Sequence, residues 1–104
     1  MQPKLSGGEL RKILRNYIDN GLFVFSEHAE DQMEERGFVE DDVVRVLKSG
    51  FHDEKFDSWS NEFWCWKYNF RGTTVGGGKM RVVFSLCNMC VIITVINEGR
   101  LYGV

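Results

Sequence analysis

The feature that most constrains this chain is a change of periodicity near its middle. Up to Gly50 the apolar residues recur at helical spacing, and beyond it they come in short β-branched and aromatic runs broken by glycine, asparagine and serine. Leu10, Ile13, Leu14, Tyr17 and Ile18 form an i, i+3, i+4, i+7, i+8 stripe, which predicts an amphipathic helix stopped at Gly21. Residues 22–25 are a short extended run. Ser26 then offers an N-cap, with Glu27, Glu30 and Asp31 where the positive end of a helix dipole favours acids, so a second helix is predicted as far as Gly37. A third is predicted over 40–49, closed by Gly50, with Val43, Val46 and Leu47 as its core face.

Past Gly50, residues 57–61 read as a loop, 62–70 as an aromatic strand, 72–78 as a glycine turn, and 80–87 and 90–96 as two strands joined around Asn88-Met89, with a short last strand at 101–104. Sequential strands with short connections predict an antiparallel meander. The expected fold is therefore α+β, with N-terminal helices packed on a C-terminal antiparallel sheet. One domain over residues 1–104 is expected, because 104 residues at 43% hydrophobic supply one core and a single proline leaves no linker.

Charge is unevenly placed. Residues 27–57 hold eleven acids against four bases, a balance of −7, whereas 1–20 carry +2 and 62–104 carry +3. The start of the chain, Met1-Gln2-Pro3-Lys4, leads into a charged segment with no apolar signal-like stretch, and the most apolar run, 82–96, is shorter than the roughly 20 residues that span a bilayer. No membrane partner is expected. Three cysteines do not make a disulfide framework, which points to a reducing, cytoplasmic compartment with the cysteines acting as small hydrophobes. Cys87-Asn88-Met89-Cys90 has C-x-x-C spacing but no second clustered ligand pair, so neither a metal nor a cofactor is expected.

Candidate chemistry centres on the second helix, where His28, Gln32 and Arg36 share one stripe at i, i+4, i+8. A histidine can move protons near neutral pH, and an arginine can hold a phosphate. The structural alternative is that His28 bridges to the sheet and Arg36 pairs with an acid. In the aromatic strand Lys67 and Asn69 alternate with Trp66 and Tyr68, so an open face could stack bases. Gly76-Gly77-Gly78 lacks the G-K-[ST] ending of a P-loop, but Arg71, Lys79 and Arg81 flank it with cations suited to a nucleic-acid backbone.

The order Phe25-Ser26-x-His28-Ala29-x-x-Gln32-Met33-x-x-Arg36-Gly37-Phe38, followed by Asp42-Val43, Leu47, the aromatic strand, the glycine turn, Arg81-Val82-Val83 and Ile93-Thr94-Val95, resembles the small bacterial domains grouped as domain-of-unknown-function family 4258. The resemblance covers about residues 22–96. It implies a fold similar to the RelE and BrnT toxins and a link to toxin–antitoxin or mobile-element systems. Two positions depart from the family pattern: Gln32 stands where it has arginine, and Val39 replaces the usual helix-capping Ser/Thr.

Two functions are expected of such a chain. The first is a toxin-type, metal-independent endoribonuclease with a cognate antitoxin or other protein partner, using His28, Arg36, Arg81 and Tyr68 in catalysis and Lys67, Arg71, Lys79 and Trp66 on RNA. The alternative is a non-catalytic interaction protein, an immunity or regulatory partner that binds a basic protein through its acidic helical half.

Overall fold

The computed structural model of the chain describes residues 3–99. The three helices fall where the stripes place them: α1 at Gly7–Asp19, α2 at Glu27–Arg36 and α3 at Glu40–Ser49. On α1, Leu10, Leu14 and Ile18 are buried, each contributing about 2 kcal/mol of apolar burial. The Ser26 hydroxyl accepts the Ala29 N–H at 3.0 Å to start α2, and Gly37 ends it at φ +74°, a left-handed conformation that favours glycine. At Val39, which has no capping oxygen, the Asp42 carboxylate accepts the Val39 N–H at 3.0 Å instead.

The strands are β1 (Phe23–Phe25), β2 (Phe51–His52), β3 (Ser58–Ser60), β4 (Cys65–Thr73), β5 (Lys79–Ser85) and β6 (Cys90–Gly99). They form one sheet in the order β1-β6-β5-β4-β2, and β3 also pairs with β4. The α+β class holds, and the sheet is mostly antiparallel. Two sequence expectations are corrected. The sheet is not purely a C-terminal meander, because β1 from the helical half lies parallel to β6 with Phe23 opposite Cys90. The predicted loop at 57–61 contains β3, which pairs with β4 through Ser58 opposite Lys67. The proposed strand at 101–104 lies outside the described residues.

Helices cover one face of the sheet. Tyr68, Phe70, Met80, Val82, Phe84, Cys90, Ile92 and Val95 meet the apolar sides of α1, α2 and α3 in a single core. By strand alternation, Lys67, Asn69, Arg71, Arg81 and Glu98 point to the opposite face. At Gly50 a Cβ would overlap the carbonyl oxygens of Arg71 and Val46, and at Gly72 it would meet the Gly50 Cα at 3.2 Å. These two glycines let the end of α3 lie directly on β4.

A third correction concerns the cysteines. Cys65 and Cys87 are joined in a disulfide with their Cα atoms 6.3 Å apart, and only Cys90 is a free, buried thiol. The two half-cystines each lie three positions beyond the last β4–β5 pair, Tyr68 opposite Phe84, at the open end of that hairpin. With Cys87 occupied in this way, the C-x-x-C spacing is not a metal half-site.

Candidate functional site

The four residues singled out for catalysis do not meet. His28 is exposed on α2 and makes no hydrogen bond or ion pair with any described residue. Its two stripe-mates are turned to the sheet: Gln32 Oε1 accepts the Val95 N–H at 2.9 Å, and Arg36 Nη1 donates to the Val95 carbonyl at 3.1 Å. Ser26 Oγ donates to the Ile93 carbonyl at 2.9 Å. β1 ends at Phe25, and past that point these three side chains supply the hydrogen bonds that a neighbouring strand would give β6. Much of the family-like motif is therefore a clamp of α2 onto the open side of β6.

Tyr68 lies on the helix-covered face, 3% exposed, and its hydroxyl accepts the Leu5 N–H at 2.9 Å. Burial pushes this phenol above its ordinary pKa. Nearby, the Asp57 carboxylate receives His52 Nε2 at 2.6 Å, Lys4 Nζ at 3.1 Å and the Asn69 N–H at 2.8 Å, pinning the N-terminal segment, β2 and β4 together. Trp66 sits edge-on to Trp59, with Lys4 Nζ 5.5 Å from its ring centre. Lys67 lies half-buried on the opposite face.

What does converge is on that opposite face. Arg71 and Arg81 are directly paired across β4 and β5. Like charges so placed repel, and Glu98 of β6 answers both: its Oε1 accepts Arg71 Nε at 2.6 Å and its Oε2 lies 3.2 Å from Arg81 Nε. The latter contact is ionic, since the buried Arg81 Nε–H is not aligned for a hydrogen bond. Asp53 takes Arg71 Nη1 at 3.0 Å, and these two carboxylate bonds, Asp53 first, raise the Arg71 pKa. Arg81 also donates to Asn69 Oδ1 at 3.2 Å and stacks on Phe56 with its guanidinium 4.2 Å from the ring centre.

Glu98 and Arg71 line a cleft of about 670 Å³ at the end of the sheet, with Arg45 and Ser49 of α3, the glycine pair Gly50 and Gly72, and Lys79. Three cations and one carboxylate face this space. Two of the sequence-predicted RNA contacts, Arg71 and Lys79, are in it, whereas Arg81 holds Glu98 without lining the cleft. Arg45 and Glu98 were missed. The glycine turn that precedes Lys79 is fixed and offers no phosphate cradle, because Asp42 Oδ1 accepts the Val75 N–H at 3.0 Å and Thr74 Oγ1 accepts the Gly78 N–H at 2.9 Å.

No helix among the described residues is long and apolar enough to cross a membrane. No curated protein and no solved structure matches the chain. A family model does match, over residues 25–97, a span that takes in the α2 clamp, α3, Arg71, Lys79 and Arg81; the chain belongs to the family described as Domain of unknown function (DUF4258).

Proposed function

We propose that this protein is an RNA-cleaving enzyme that needs no metal ion, with Glu98 as its base in place of the expected His28. The observation that carries this reading is a carboxylate held between two facing arginines at the wall of a cationic cleft. An RNA phosphate entering the cleft competes for the Arg71 guanidinium and leaves Glu98 beside the ribose. Glu98 then takes the 2′-hydroxyl proton, the 2′-oxygen attacks phosphorus, and the 5′-oxygen departs with a proton from Lys79. The products are a 2′,3′-cyclic phosphate and a 5′-hydroxyl. Arg71 neutralises the charge that builds on the non-bridging oxygens, Arg45 holds a flanking phosphate, and Arg81 is a positioning residue. Such activity fits a RelE-like toxin kept in check by a cognate antitoxin or other protein partner.

The test is incubation of the purified chain with a mixed-sequence RNA in the presence of a chelator. Fragments ending in a cyclic phosphate support the reading. Intact RNA under all conditions, together with no growth arrest on expression, overturns it.

One observation favours the second reading, a non-catalytic partner of a basic protein. Glu27, Glu30, Asp31, Glu34 and Glu35 are all exposed on α2, none in an ion pair with a described residue, and they form a ridge facing away from the clamp. Salt-sensitive binding of a basic protein that is lost in Glu30→Lys/Glu34→Lys, with no RNA binding, would decide for it.

A further inference from the structure

Beyond the cleft, a second set of cations has no part in the chemistry above. Gly8, Arg11, Lys12 and Arg15 of α1 stand at i, i+3, i+4 and i+7, and with Leu47 and Lys48 of α3 they line a groove of about 290 Å³ between the two helices. Four of the six lining residues are cationic and none is acidic. Lys48 has one ion pair, to Asp19 at 3.2 Å, with both side chains about half exposed, which binds weakly. Arg11 lies over the Phe70 ring with its guanidinium 5.0 Å from the ring centre, a cation–π contact. Lys12 and Arg15 are exposed and free of ion pairs with described residues. Gly8 meets nothing within 4 Å of where its Cβ would be, so packing does not require glycine there.

We infer that this groove binds the phosphate backbone of a single RNA strand on its way to or from the cleft. From Gly8 to Arg15 the row runs about 10 Å along the helix, longer than a single phosphate. Lys48 and Arg45 are three residues apart on one side of α3, and Arg45 already lines the cleft, so the two cationic surfaces adjoin across that helix. An occupant with several phosphates in series satisfies both. A lipid surface fits less well, since the one apolar lining residue, Leu47, is 3% exposed and offers nothing to insert.

The inference rests on RNA being the substrate, and its test is chosen to stand apart from cleavage. The probe is a fluorescein-labelled 2′-O-methyl oligouridine, whose blocked 2′-oxygen prevents cleavage, followed by anisotropy across a salt titration. Lys12→Gln/Arg15→Gln should weaken binding about tenfold near physiological salt and make the log–log salt slope shallower by about 1.4, roughly 0.7 for each lost contact with a single strand. Lys12→Arg/Arg15→Lys should retain binding. A double variant that melts like the parent and binds with unchanged affinity and slope overturns the groove. So does a loss seen only for inorganic phosphate or for anionic phospholipid vesicles, with RNA binding intact. Failure of cleavage with binding preserved would instead remove the nuclease reading and leave the groove standing.

Discussion

Arg71 and Arg81 face each other across neighbouring strands with Glu98 between them, and this arrangement makes local sense only if a carboxylate or a bound anion is always present. On the proposed mechanism the same requirement sets the chemistry: removing the carboxylate would leave two facing guanidiniums for a phosphate, and removing an arginine would free the carboxylate without the charge that a phosphorane needs.

Glu98→Gln separates these effects. It keeps the shape and removes the base, so cleavage should fall at least 100-fold, the usual scale for losing general-base catalysis. RNA binding should hold or tighten because a negative charge leaves the cleft. The folded state should be destabilised, mainly through Arg81, since Arg71 keeps Asp53 as a partner. Measured cleavage, anisotropy and urea unfolding give the three numbers. Full cleavage in this variant rules Glu98 out as the base.

His28 and Gln32 make the contrast. His28→Ala should change stability by less than about 0.5 kcal/mol, as expected for an exposed side chain without partners. Gln32→Ala should cost about 1–2 kcal/mol by stranding the Val95 N–H, and should speed amide exchange there. If His28→Ala abolishes cleavage while leaving the melt untouched, the proton chemistry belongs to α2 after all.

The helices were legible because their signals are local: a stripe on α1, a serine cap and a left-handed glycine around α2, and the Val43, Val46, Leu47 face of α3. The parallel pairing of β1 with β6 was not, because nothing near Phe23 encodes a partner 67 positions away. Glu98 was hidden for a related reason, since its role exists only once two strand registers are set. Part of this was recoverable. Arg71 and Arg81 each lie five positions from Gly76, and Cys65 and Cys87 each lie eleven, so placing the hairpin centre at Gly76 puts both pairs opposite each other.

The Cys65–Cys87 link closes a loop with a sequence separation of 22, for which chain entropy alone gives about 3 kcal/mol. Cys87→Ser should lower the urea midpoint accordingly, and a dithiol reductant should do the same to the parent but not to the variant. Equal stability with and without reductant would show that the link adds nothing.

Cys90 predicts the alkaline behaviour. Burial pushes its thiol from an ordinary 9.0 up to about 12. Between these values the native state keeps a proton that the unfolded state has released, so stability present below about pH 9 is lost as pH rises toward 12. Two other groups pull the same way from about pH 10. Burial raises the Tyr68 phenol, and at Lys4 burial opposes the charge but hydrogen bonds to Asp57 and Glu54 outweigh it. Unfolding midpoints across this range should fall, and Cys90→Ala should fall less steeply from a lower start. The native thiol should also resist alkylation at about pH 8.

Gly50 links packing to the cleft. A Cβ there overlaps the carbonyl oxygens of Arg71 and Val46, both backbone atoms that cannot swing aside, so α3 must lift from β4 to admit it. Gly50→Ala should therefore cost about 1–3 kcal/mol as an overpacked contact. Because Arg45 rides on α3 and Arg71 on β4, the lift also separates these two of the three cations that line the cleft. RNA affinity should fall in this variant even where it remains fully folded, whereas Gly76→Ala, in open space on the hairpin turn, should leave affinity unchanged. Equal affinity in the two variants, both folded, would mean that RNA does not read the spacing between α3 and β4.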